Sequence, residues 1–161
     1  MISAPIIAVE DLAAGLAAEA RLLGLDLGTK TIGLALSDVT RNIATPYDTI
    51  RRGQFTSDAK TINSIVEQMG VGGLVIGLPI SLDGFEGPRA QSTRAFARNL
   101  SQLMILPIAL WDERLSTAAV ERELIGMDVS RARRAEVIDE HAAIFILQGA
   151  LDRLARLRGE R

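Results

Sequence analysis

The chain has no cysteine, which excludes disulfides, zinc-thiolate sites and thiol nucleophiles together and fits a reducing compartment. Histidine, tryptophan and tyrosine occur once each, and the aromatic residues show no spaced stacking platform of the kind single-strand binders use. An excess of charge of one sign is missing too. The 18 basic residues stand against 20 acidic ones, so any surface for a polyanion has to be local. Lys30 and Lys60 are the only lysines, leaving the basic side to arginine, which suits bidentate phosphate contacts. No apolar run approaches a membrane span. The apolar residues 6–9 have no basic residue before them and acids follow, unlike a secretory leader. The chain reads as cytoplasmic.

What is present is a globular composition, 48% hydrophobic and 24% charged over 161 residues, enough for one domain with a sizeable core. Residues 1–20 read as an N-terminal extension, with a short helix over 11–20 capped by Asp11, serving for packing or as a variable extension with no chemistry. The domain proper is 21–161. Its first strands, residues 21–27 and 31–37, flank the turn Gly28-Thr29-Lys30 and fold back as a hairpin. Residues 43–50 contain Pro46, which suits an edge strand. A helix follows Ser57, with Ile62, Ile65, Val66 and Met69 on one face and Gly70 as its stop. Residues 73–77 form a buried strand, 89–104 a helix, and 107–111 another strand that ends at Asp112-Glu113-Arg114. A short helix capped by Ser116 or Thr117 and a long one from about 135 towards 157 complete the chain. The fold class is α/β: a mixed five-strand sheet, a three-strand antiparallel meander plus two parallel strands, flanked by helices.

Three acids stand where such a sheet collects ligands. Asp26 interrupts an apolar strand, and desolvating a carboxylate there is costly unless a cation or hydrogen-bond donors meet it; the competing reading is an Asp that caps its own turn. Asp139 opens the stripe 139, 142, 143, 146, 147, 150 and 151, the otherwise apolar face of the last helix. Asp112 and Glu113 end a strand, and alternation places them on opposite faces without saying which faces Asp26. Gathered carboxylates repel one another unless divalent cations neutralise them, and hard oxygen ligands suit Mg²⁺ or Mn²⁺. That is the wiring of a metal-assisted phosphodiester hydrolase. His141 points away from the face of Asp139 and is not assigned as a general base.

The segments LGLDLGTKTIGLALSD, VIGLPISLDGFEGPRAQSTRAFA, WDERLSTAAVE and IDEHAAIFILQGALD, in that order, resemble the YqgF family, also called RuvX, of the ribonuclease H-like superfamily. The resemblance implies a ribonuclease H-like fold and a metal-binding catalytic triad at Asp26, Glu113 and Asp139. It also implies nuclease activity, with 5′-end processing of precursor 16S rRNA as the activity usually assigned and Holliday-junction resolution on branched DNA as the older proposal. Nucleic acid, and with it ribosomal particles, are the expected partners of a monomer or homodimer. Thr29 and Lys30 lie where a phosphate would approach Asp26, and Arg94 and Arg114 are further candidates for substrate binding. Arg89, Arg98, Arg131, Arg133 and Arg134 extend the same basic rim. Two readings of other classes compete. The Asp-x-Gly-Thr turn also resembles the phosphate loop of actin-like ATPases, which need a second such domain to enclose ATP. A catalytically silent RNA-binding assembly factor would have no physical need for three converging acids.

Overall fold

The computed structural model describes residues 5–115 and 131–159, with 131–140 described by their backbone alone. The short helix expected after Ser116 or Thr117, the connection before residue 131, and the side chains of Arg131, Arg133, Arg134 and Asp139 lie outside the described residues. In chain order the elements are β1 (Ile6–Ile7), α1 (Val9–Leu12) running into a 3₁₀ turn (Ala13–Gly15), β2 (Arg21–Leu27), β3 (Thr31–Ser37) and β4 (Ala44–Arg51). They continue with α2 (Phe55–Met69), β5 (Val71–Leu78), α3 (Pro88–Ser101), β6 (Ile108–Asp112), a 3₁₀ turn (Glu113–Leu115) and α4 (Arg131–Leu157).

The strands form one sheet in the order β1-β6-β5-β2-β3-β4. The meander β2, β3, β4 is antiparallel, while β5 lies parallel to β2, and β6 parallel to β5, as crossover helices α2 and α3 require. The expected count of five strands is corrected to six. The sixth, β1, comes from the segment before residue 20 and pairs in parallel with β6, Ile6 with Ile108 and Ile7 with Ala109. Two residues are too few to display a period of two, so the pairing has no local sequence signal. The helix there is also earlier than expected, with Asp11 inside α1 and not capping it. The strands β2 and β3 fall where the apolar runs place them. Gly70, at φ 64°, ends α2 as the left-handed residue that glycine favours.

Side-chain alternation divides the core into two layers. Leu23, Leu25 and Leu27 of β2, with Leu74 and Ile76 of β5, meet α2 and α3 through Ile62, Ile65, Phe96 and Leu100. Leu22, Val75, Ala109 and Trp111 meet α1 and α4 on the opposite face, through Leu12, Ala143, Ile146 and Leu147. Gln148 of α4 accepts the Ala44 N–H at 2.8 Å and donates to the Asn42 carbonyl at 2.9 Å, level with the start of β4. His141 and Ile144 border Tyr47–Thr49 further along that strand. The helix therefore runs against the direction of β2, with its N-terminal end over the C-terminal end of that strand.

Just beyond β3, Asp38 organises the turn into β4. Its carboxylate accepts the N–H groups of Asn42 and Ile43 at 2.8 and 2.9 Å and the Thr40 hydroxyl. Partial burial pushes its pKa up, but these hydrogen bonds together outweigh it and hold the group at about 2, against an ordinary 3.8. A depressed carboxylate stabilises the fold above its unfolded pKa, and that contribution disappears as pH falls from about 4 through 2. Asp38→Ala is expected to cost about 1–2 kcal/mol at neutral pH, the range for losing a local cap. Urea titrations at pH 7 and pH 2 test this, because the difference between variant and wild type narrows in acid.

Candidate functional site

Asp26 sits on β2 two positions beyond Gly24, so it faces α4, and it is buried at 7% exposure. Leu25 pairs with Ile76, which puts Asp26 level with Gly77 on the neighbouring strand. A Cβ built on Gly77 would stand 3.4 Å from the Glu113 carboxyl carbon and 2.4 Å from Cδ1 of Ile146 on α4. Glu113 is itself 5% exposed. Two buried carboxylates therefore share the α4 side of the sheet on either side of a glycine, whose missing side chain leaves them the space between. The residues that position them are small: Gly24, Gly33 and Gly77 stand around Asp26 on the three adjacent strands.

The open choice between Asp112 and Glu113 is decided by local geometry. Arg114 grips Asp112 with both arms of its guanidinium, at 2.7 to 3.1 Å, and its own N–H adds a bond at 2.9 Å. The side-chain bond from Arg114 is the main cause of the lowered Asp112 pKa, with burial opposing it. Asp112 is thus engaged at the rim, while Glu113 turns inward beside Gly77. Asp139 lies on α4 one turn before Ala142 and Ala143, and a Cβ on Gly24 would meet the Ala143 carbonyl at 3.3 Å. The backbone turn that carries position 139 therefore lies from Ala143 in the direction of the C-terminal end of β2. Among the described residues no group of three acids or histidines gathers; the described part of the site is the pair Asp26 and Glu113.

The expected substrate-binding residues fall into two kinds. Thr29 and Lys30 are exposed in the β2–β3 turn, which Gly28 closes by donating its N–H to the Thr31 carbonyl at 2.8 Å. Arg94 instead holds Glu86 by two bonds of 2.6 and 2.9 Å, which chiefly accounts for the lowered Glu86 pKa. Arg114 holds Asp112 in the same way, so both guanidiniums serve to brace the loop 79–87 and the end of β6. His141 stacks on Phe145 with ring centres 6.4 Å apart. Sequence reasoning missed Gly77 as the space-maker. Gly77→Ala is expected to cost about 1–2 kcal/mol, because the Ile146 side chain must swing aside; thermal unfolding with and without Mn²⁺ reads both this cost and any weakening of cation binding at Glu113.

Two buried carboxylates on one face offer hard oxygen donors and no soft one, a set that fits a hard divalent cation. Among the described residues no helix is long and apolar enough to cross a membrane. A family model described as "RuvX: Holliday junction resolvase" matches residues 20–153. A protein of Bradyrhizobium sp. (strain BTAi1 / ATCC BAA-1182) is 66% identical over 155 residues, 96% of either chain. One of Paramagnetospirillum magneticum is 64% identical over 148 residues, covering 92% of this chain and 96% of that one. Both bear names that assign them, provisionally, to pre-16S rRNA nucleases. Among solved structures, T. thermophilus RuvC in complex with Holliday junction substrate superposes with a TM-score of 0.52 at 10% identity, over 88% of this chain and 97% of that one. The yeast mitochondrial Holliday junction resolvase gives 0.50 at 12%, over 95% and 85%. At such identities the likeness is one of fold, and the fold is ribonuclease H-like.

Proposed function

The chain belongs to the RuvX family, and on that premise we propose that it is a divalent-metal-dependent endonuclease acting in the cytoplasm on precursor 16S rRNA. The observation that carries the reading is the pair of buried carboxylates, Asp26 and Glu113, facing α4 on either side of Gly77. Two carboxylates buried together on one face are costly for a scaffold and useful to a protein that binds cations. Asp139 is the third member of the proposed triad, from the turn of α4 above β2. Mg²⁺ or Mn²⁺ bound there would supply an activated water and neutralise charge on the phosphate. The protein's own residues fix the rest. Asp26 and Glu113 would hold the cations in a cleft walled by Ile146, and the β2–β3 turn, with Thr29 and Lys30, would orient the phosphate.

A second reading, resolution of branched DNA, is favoured by the description of the family model and uses the same acids. The test is cleavage of a labelled precursor 16S 5′ fragment and of a four-way DNA junction, each with Mg²⁺, Mn²⁺ or chelator. Cation-dependent cutting of the RNA alone is the expected result. Cutting of the junction with the RNA untouched makes the protein a resolvase. Failure to cut either, by protein that binds Mn²⁺, turns the reading to RNA binding in ribosome assembly.

A further inference from the structure

Behind the β2–β3 turn, on the side of the sheet away from the paired acids, lies a cavity of about 430 Å³ lined by Gly28, Thr29, Arg52, Gly53, Arg89 and Ser92. We propose that it is a second phosphate subsite, which receives a backbone phosphate next along the nucleic acid from the one at the acids. This deepens, and rests on, the nuclease reading.

The pairing of its arginines sets the cavity apart. Arg94, Arg114 and Arg153 are each tied to a carboxylate. Arg52 and Arg89 instead donate to main-chain carbonyls, Arg52 to Gly28 at 2.6 Å and Arg89 to Leu27 at 3.2 Å. Among the described residues neither has a carboxylate within ion-pair distance. Each keeps most of its five N–H donors, and each is already oriented by the bond it makes. Arg52 is braced further, its guanidinium lying 5.6 Å from the centre of the Phe96 ring, which in turn packs edge-on against Phe55 at 5.3 Å. Its backbone N–H also bonds the Lys30 carbonyl at 2.8 Å, which ties the segment of Arg52 to the β2–β3 turn. Asp58, the buried acid behind this wall, accepts the Gly53 N–H at 3.2 and 3.3 Å.

The ligand class follows from the lining. Two unneutralised guanidiniums with the side chains of Thr29 and Ser92 suit a compact anion with several acceptor oxygens. No aromatic face lines the cavity, and the nearby Phe96 ring is covered by Arg52, so a base has nothing to stack on. Position does the rest. Leu27 and Gly28 of the cavity wall directly follow Asp26, on a strand that rises about 3.3 Å per residue. A nucleic-acid strand crossing the C-terminal lip of the sheet can therefore present one phosphate to the acids and a neighbouring one to Arg52 and Arg89.

The experiment uses the full chain and a precursor 16S 5′ fragment in which one linkage at a time is an uncharged methylphosphonate. With the wild type, one linkage besides the scissile one should slow cutting about tenfold, the scale of a lost charge-assisted contact. Arg52→Gln/Arg89→Gln should cut the unmodified RNA as slowly and be indifferent to that same replacement, while Arg52→Lys/Arg89→Lys recovers part of the rate. A wild type indifferent at every non-scissile linkage overturns the subsite, and so does a double Gln variant that melts like wild type yet keeps the full penalty. If the wild type cuts no RNA, the nuclease reading falls and the subsite is judged by binding. A slope of log affinity on log salt shallower by about 1 to 2 in the double Gln variant supports it. An equal slope, or no binding, overturns it.

Discussion

Asp26→Asn should abolish most of the activity and almost none of the stability. Asparagine keeps the shape of the side chain, so the packing against α4 survives, and it removes the charge that a divalent cation requires. Loss of an outer-shell partner of a metal ligand already costs roughly 10- to 100-fold; loss of a direct ligand is expected to exceed about a hundredfold in cation-dependent cleavage. Stability should move by less than about 1 kcal/mol, because a carboxylate buried at 7% exposure carries a desolvation cost that the neutral amide avoids. The measurement pairs single-turnover cleavage in Mg²⁺ or Mn²⁺ with thermal unfolding in the same buffers. A cation should raise the melting temperature of the wild type and leave that of the variant nearly unchanged, by mass action on the folded state alone. Wild-type rates in the variant would remove Asp26 from the centre.

Gly24→Ala is the opposite case, a change with no charge in it that should damage both properties. A Cβ at this position would stand 2.7 Å from Cβ of Leu147 and 3.3 Å from the Ala143 carbonyl. Neither atom is the tip of a flexible side chain, so relief requires α4 to lift from the sheet. The cost is expected at the upper end of the 1–3 kcal/mol typical of overpacking, and above that of Gly77→Ala. Cleavage should fall as well, because lifting α4 also shifts position 139, one turn before Ala143, which the proposed triad needs beside Asp26. A lowered urea midpoint with an unchanged m value is the expected signature. A variant as stable as wild type would mean that α4 sits further from β2 than these contacts allow.

How much of this could be read from the chain depended on whether the signal was local. The strands β2 and β3 were legible because their apolar residues are contiguous and their turn holds a glycine. The inward stripe of α4 was legible because Ala142, Ala143, Ile146, Leu147, Ala150 and Leu151 recur at helical spacing, and all six are buried. Asp112 against Glu113 was not, since alternation says only that the two face opposite ways, and the bonds that hold Asp112 at the rim come from Arg114. Arg94 was read as a candidate for substrate binding, and its pairing with Glu86 in the preceding loop is visible only in the fold. Arg52 carries no local signal of a site. Only folding brings it to Gly28 and Arg89, which are 24 and 37 positions away in the chain.

The parallel pairing of β1 with β6 matters for the company the protein keeps. A sheet ends in two rows of unpaired backbone groups, and either row can recruit a strand from another molecule. Here one border is closed by Ile6 and Ile7, from a segment that the family model, beginning at residue 20, does not include. The other border, β4, carries Pro46 and a register shift opposite Leu34 and Ala35, which interrupt its ladder. Neither border offers a long, regular template, so the sheet resists growing by addition of further copies.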